Sequence, residues 1–131
     1  MRENFLKILL LLGAAFYLVG AIVHYFGLTL FPWFDGTLYS PYHDSIIAMA
    51  SLAISGFFFV TYLDPNKNLG NLRVIIIAAL ISGILTIVMA YKTDFVSLYG
   101  STLKNSQAWV EGVSLIIFSF LIFILKPNKN S

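Results

Sequence analysis

The chain contains no cysteine. A disulfide framework, a thiol–disulfide relay and a Cys-ligated zinc or iron–sulfur centre are therefore excluded. Charge is also scarce. Asp, Glu, Lys and Arg make up 11% of the residues, against about 25% in an ordinary soluble domain. A net charge of +2 and a pI near 8.9 are too mild for a nucleic-acid partner. Several motifs are missing as well. There is no phosphate-binding glycine loop, no GxSxG elbow, no dinucleotide fingerprint, no HExxH and no paired ExxH. No motif requires a cofactor, no soluble ATP-hydrolysing domain is present, and the reading leans away from an enzyme.

What the chain has in abundance is apolar surface. Hydrophobic residues reach 59% over 131 residues, and the mean hydropathy is +0.86. A soluble domain of this size would lack the polar surface to cover itself. Crossing the hydrocarbon core takes about 20 mostly apolar residues. Four stretches qualify or nearly do: Ile8 to Leu28, Pro41 to Leu63, Val74 to Tyr91 and Ser106 to Leu125. The first is too long for a secretory signal peptide and ends in no small-x-small cleavage site. Ser40-Pro41 reads as an N-cap followed by proline at the first helical position. Asp64-Pro65 and Lys126-Pro127 read as stops. Asn105 or Ser106 would cap the fourth span, and Gly70 with its neighbours would form a short turn. The fold class expected is all-α: a single-domain integral membrane four-helix bundle with short loops.

Direction follows from the basic residues. Arg2, Lys7, Lys67, Arg73, Lys126 and Lys129 fall on one side, and only Lys92 and Lys104 on the other. The expectation is N-in/C-in, with both termini cytoplasmic, in a plasma or bacterial inner membrane. The 29–40 and 92–105 connections then face outward. The first of these is ringed by Phe26, Phe31, Trp33, Phe34, Tyr39 and Tyr42, side chains that favour the headgroup level. Trp33, Trp109 and the tyrosines near span ends read as interfacial anchors, and Lys92 and Lys104 as solvated or snorkelling cations. A faint repeat runs through the chain. Pro65-Asn66-Lys67-Asn68 recurs as Pro127-Asn128-Lys129-Asn130, and Asp35 to Tyr39 has a looser echo in Asp94 to Tyr99. This fits a weak 2+2 parallel repeat. It fits equally the plain preference of turns for Pro, Asn and Lys.

Membrane helices pack through small residues and cross-helix hydrogen bonds, and each span carries such a stripe. These are Gly13, Tyr17, Gly20, His24 and Gly27; Asp44, Ala48, Ser51, Ser55 and Tyr62; Ala79, Gly83, Thr86 and Ala90; and Glu111, Ser114, Phe118 and Ile122. The ionisable residues are more telling. His24, Asp35, His43, Asp44, Asp94 and Glu111 all map to the outer half, and only Glu3 and Asp64 are acids on the inner side. Ionisable groups inside spans are costly and normally face a bundle interior or a wet cavity. His24, His43, Asp44 and Glu111, with Asp94 beside them, are therefore the candidate ligand or proton site. His24, Asp44 and Glu111 are the subset with metal-ligand chemistry. The bland alternative is a structural pair, His24 with Asp44 or Glu111, that sets helix packing. His43 and Asp44 are adjacent and point about 100° apart on a helix.

Three functions stay open. The first is a binding or accessory membrane protein that works through self-assembly or a larger membrane-protein partner within the lipid bilayer. The second is a small membrane enzyme or redox accessory acting on a lipid, quinone or metal at the outer cluster. The third is an oligomeric transporter protomer. It has little support, because no charge lies near the middle of a span. The first span holds no acid between Ile8 and Leu28, so a resemblance to the small multidrug exporters fails.

Overall fold

The computed structural model describes residues 1–28, 39–100 and 102–127. Among the described residues all regular structure is helical: α1 (Arg2–Phe26), α2 (Pro41–Leu63), α3 (Leu69–Lys92), α4 (Phe95–Tyr99) and α5 (Leu103–Leu125). Four of these, all but α4, are long and apolar enough to cross a membrane. The 29–38 part of the connection between α1 and α2, with Phe31, Trp33, Phe34 and Asp35, lies outside the described residues. So do residues 128–130 of the repeated Pro-Asn-Lys-Asn.

Helices α1, α3 and α5 begin earlier than their apolar runs do. Helix α1 starts at Arg2, ahead of Ile8. Glu3 sits in its first turn and pairs with Lys7 one turn on at 3.0 Å. An acid there complements the positive end of the helix dipole. The helix stops at Gly27, whose φ of 61° is left-handed. Gly27 N–H then donates to His24 O at 3.3 Å and Leu28 N–H to Val23 O at 3.0 Å, a common glycine closure. Helix α2 has the boundaries its two prolines imply.

The α2–α3 turn is shorter than expected. Asp64 accepts from Lys67 N–H at 3.1 Å, and Asn68 N–H donates to Asp64 O at 3.2 Å. The turn is complete by Asn68, so the chain resumes helix at Leu69. Gly70 and Arg73, expected in the turn, are helical instead. Likewise α5 starts at Leu103. Asn105 and Ser106 lie inside it rather than capping it, and Ser106 N–H donates to Thr102 O at 3.3 Å. The 92–105 connection is no plain loop, since it holds α4. Asp94 caps α4 by accepting from Ser97 N–H at 3.1 Å.

The chain forms two compact units, Met1–Leu72 with Leu125–Ser131, and Arg73–Ile124. In the first, α1 and α2 pack as a hairpin along the expected stripes. Gly20, Ala48 and Ser55 are buried, while Gly13, Tyr17, His24, Asp44, Ser51 and Tyr62 are half-buried. Tyr17 stacks on Phe58 with ring centroids 5.7 Å apart. Gly13 leaves room for the Phe58 ring, which a Cβ would meet at 2.5 Å. Ser55 Oγ donates to Ala14 O at 2.7 Å, tying the two helices.

In the second unit α3 meets α5 more closely. A Cβ on Gly83 would lie 2.8 Å from Gly112 O, and one on Gly112 would lie 3.0 Å from Gly83 O. Backbones approach this near only where side chains are absent. Ser119 Oγ donates to Ile76 O at 2.8 Å. The α3 stripe is as expected, with Ala79, Gly83 and Ala90 buried and Thr86 half-buried. The α5 stripe is so in part, with Ile122 buried and Glu111 and Phe118 half-buried. Ser114 is exposed, and the buried face runs through Ala108, Gly112, Ser119 and Ile122.

Candidate functional site

His24, Ser40, His43 and Asp44 of the first unit converge where α1 ends and α2 begins. His24 occupies the last turn of α1, where the negative end of the helix dipole favours a cation. Asp44 occupies the first turn of α2, where the positive end favours an anion. The hairpin sets these two ends side by side. His24 Nδ1–H donates to Asp44 Oδ1 at 2.6 Å. A carboxylate only accepts, so the shared proton belongs to the imidazole. Both side chains are largely covered, with 28% of His24 and 15% of Asp44 exposed, which limits solvent screening of the pair.

Ser40 completes the arrangement in a way its sequence position did not suggest. It stands at the N-cap in an extended conformation, but its hydroxyl makes no capping bond. The cap is inverted: Ser40 N–H donates to Asp44 Oδ2 at 2.7 Å. The Ser40 hydroxyl instead shares a hydrogen bond with His43 Nδ1 at 3.0 Å. Asp44 thus engages one partner through each oxygen. His43 is exposed and sits edge-on to Tyr42. The helical turn sends His43 and Asp44 apart, and Ser40 links them. The flank is aromatic. Tyr39 O–H donates to Tyr25 O at 3.4 Å, and the Tyr39 ring fills the space where a Cβ on Gly27 would sit.

The other two candidates belong to the second unit. Glu111 is half-buried on α5 and accepts from Gln107 Nε2 at 2.9 Å. It is a neighbour along its own helix that sequence reading passed over, though the i, i+4 spacing makes it visible. Asp94 is the cap of α4, and Ser97 Oγ donates to its Oδ2 at 2.6 Å. The Ser97 hydroxyl first, and the Ser97 backbone N–H second, hold the Asp94 carboxyl below the usual carboxylate range. In the turn after α2, Lys67 does the same for Asp64, mainly through its backbone N–H and then through its ammonium.

Chemically, the His24–Asp44 pair has two capacities. It ties the tip of one helix to the start of the next. It also fixes the imidazole: with the Nδ1 proton committed to Asp44, Nε2 is the basic nitrogen of the neutral ring. Among the described residues no three His, Cys, Asp or Glu side chains gather as a metal would need. Comparison with protein-family models, with curated proteins and with solved structures finds no match to this chain.

Proposed function

We propose that the protein is an integral membrane protein of binding or accessory type. It works by assembling with itself or with a larger membrane protein, and its outward-facing polar cluster holds the tip of the first hairpin in shape. The observation that carries this reading is the engagement of Asp44, whose two oxygens meet His24 and the Ser40 backbone. A carboxylate anchored on both sides is suited to fixing geometry. The surplus of lysine and arginine in the termini and the 64–73 segment supports cytoplasmic termini. The long helices leave many large apolar side chains exposed, such as Leu12, Leu52, Leu85 and Phe120. These suit lipid or a neighbouring membrane helix.

Native mass spectrometry of the gently solubilised protein, wild type beside His24→Ala, tests this reading. The expected result is a defined oligomer or a complex with a co-purifying protein, with no small adduct lost in the variant. A bare monomer at every concentration would contradict it.

One observation favours a second reading. An imidazole oriented by a carboxylate is also the pairing that general bases and ligand-binding histidines use. On that reading the protein is a small membrane enzyme or redox accessory for a lipid, quinone or metal. Its signature in the same spectra is a stoichiometric adduct present in wild type and absent from His24→Ala.

A further inference from the structure

The short helix α4 has a chemistry that its length conceals. It is closed at both ends by its own residues. Asp94 caps the start through Ser97 N–H and Oγ. Gly100, at a φ of 66°, caps the finish by donating to Val96 O at 2.8 Å. The connection back to α3 is equally ordered, since Thr93 N–H donates to Met89 O and Phe95 N–H to Thr93 O. This is a built element rather than slack chain.

Its faces are sorted. At about 100° per residue, Leu98, Phe95, Tyr99 and Val96 cover one arc of about 160°, with Ser97 opposite. Phe95 and Tyr99 stack on each other with centroids 6.1 Å apart and are half-buried. Val96 and Leu98 are 51% and 54% exposed. Lys104, in the first turn of α5, places its ammonium 5.4 Å from the Tyr99 ring centroid, within cation–π range. An apolar arc, a ring pair and a cation at the edge together match the gradient from acyl chain to phosphate at a bilayer surface.

We propose that α4 is a membrane-interface anchor. Its Leu98–Phe95–Tyr99–Val96 face enters the boundary between lipid headgroups and acyl chains, and Asp94 and Ser97 face water. Chain continuity argues for lipid as the occupant. α4 is joined by very few residues to the ends of α3 and α5, and a chain gains at most about 3.6 Å per residue. This proposal rests on the membrane reading of the long helices.

The test keeps the two apart. Nitroxide labels are placed by Leu98→Cys, Ser97→Cys and Ile81→Cys in the cysteine-free full chain. The chain is reconstituted in phosphatidylcholine–phosphatidylglycerol vesicles, and collision with oxygen is compared with collision with a water-soluble nickel chelate. Leu98 and Ile81 are exposed, so neither label disturbs a packed core, and Asp94 still receives the backbone N–H of residue 97. The expected oxygen-to-nickel ratio at residue 98 is several-fold above that at residue 97, and the ratio at residue 81 is the highest. Equal, nickel-dominated ratios at 97 and 98, with 81 still deep, would overturn the anchor alone. Shielding of residue 98 from both reagents would also overturn it, because protein and not lipid would then cover the face. A nickel-accessible residue 81 would overturn the membrane reading itself.

Discussion

The two helix pairs solve the same problem by different means. In each, a serine on the later helix donates to a backbone carbonyl of the earlier one: Ser55 to Ala14 across 41 residues, and Ser119 to Ile76 across 43 residues. Beyond that shared bond they diverge. The α1–α2 pair fills the space left by Gly13 with the Phe58 ring and closes its tip with the His24–Asp44 bond. The α3–α5 pair brings Gly83 and Gly112 backbone to backbone, and its tip carries α4. On the proposed membrane reading, lipid would supply little hydrophobic drive between helices, and packing and hydrogen bonds would hold each pair. One pair has a polar bond at its end, the other a close approach of its backbones at Gly83 and Gly112.

The largest effect expected is all-or-none. If both pairs cross the bilayer in the same sense, the Asp64–Asn68 turn lies on the cytoplasmic side and α4 on the outer side. In intact cells a cysteine at Asn66 should resist an impermeant thiol reagent, and one at Ser97 should react. Labelling of both, or the reverse pattern, would break the parallel reading.

Next come the glycines. Gly83→Ala and Gly112→Ala press a methyl against opposing backbone, which cannot turn aside. A loss of about 1–3 kcal/mol is expected in unfolding from mixed micelles. Gly13→Ala meets the Phe58 ring, a side chain and not backbone, and a smaller loss is expected, in part offset by better helix propensity. Equal costs at all three sites would erase the distinction between the pairs.

The serines should behave alike. Ser55→Ala and Ser119→Ala each remove one cross-helix bond, worth about 0.6 kcal/mol in a membrane protein. A much larger loss at one of them would show that the pairs are not equivalent even here.

The smallest effect is in pH. The Asp94 and Asp64 carboxyls titrate below their ordinary range because Ser97 and Lys67 stabilise the charged forms. A depressed folded-state value means that this stabilisation is present above the ordinary carboxylate value of about 3.9 and is lost as pH falls through the depressed value. Carbon-13 carboxyl titration should place both groups below that value, and Ser97→Ala should move Asp94 back toward it while leaving Asp64 alone.

The parts of this architecture that composition and punctuation encode were legible in the chain. Four apolar helices follow from hydropathy, and α2 has its expected limits because a proline marks each end. The packing faces of α1, α2 and α3 follow from the spacing of small residues. The start of α3 was hidden because Gly70 and Asn71 look like turn residues, and only the closure of the turn by Asp64 and Asn68 shows that helix has already resumed. α4 was hidden because five residues carry too little period to register. On α5 the exposed Ser114 was read in place of Ser119. The spacing of Ala108, Gly112 and Ser119 at i, i+4 and i+11 carried the correct face. At the site, the closeness of His24 and Asp44 was anticipated as one alternative. The inverted cap at Ser40 was not, since a serine before a helix normally lends its hydroxyl to the backbone.

The central claim is that the His24–Asp44 bond holds the tip of the first pair. A double-mutant cycle over His24→Ala, Asp44→Ala and the double variant, followed by unfolding from mixed micelles, measures it most directly. The account predicts a coupling of about 1–2 kcal/mol, the size of a partly covered hydrogen bond to a charged group, with Gly83→Ala strictly additive to it. Zero coupling with full stability in both single variants would contradict the claim and leave the pair to ligand or proton chemistry.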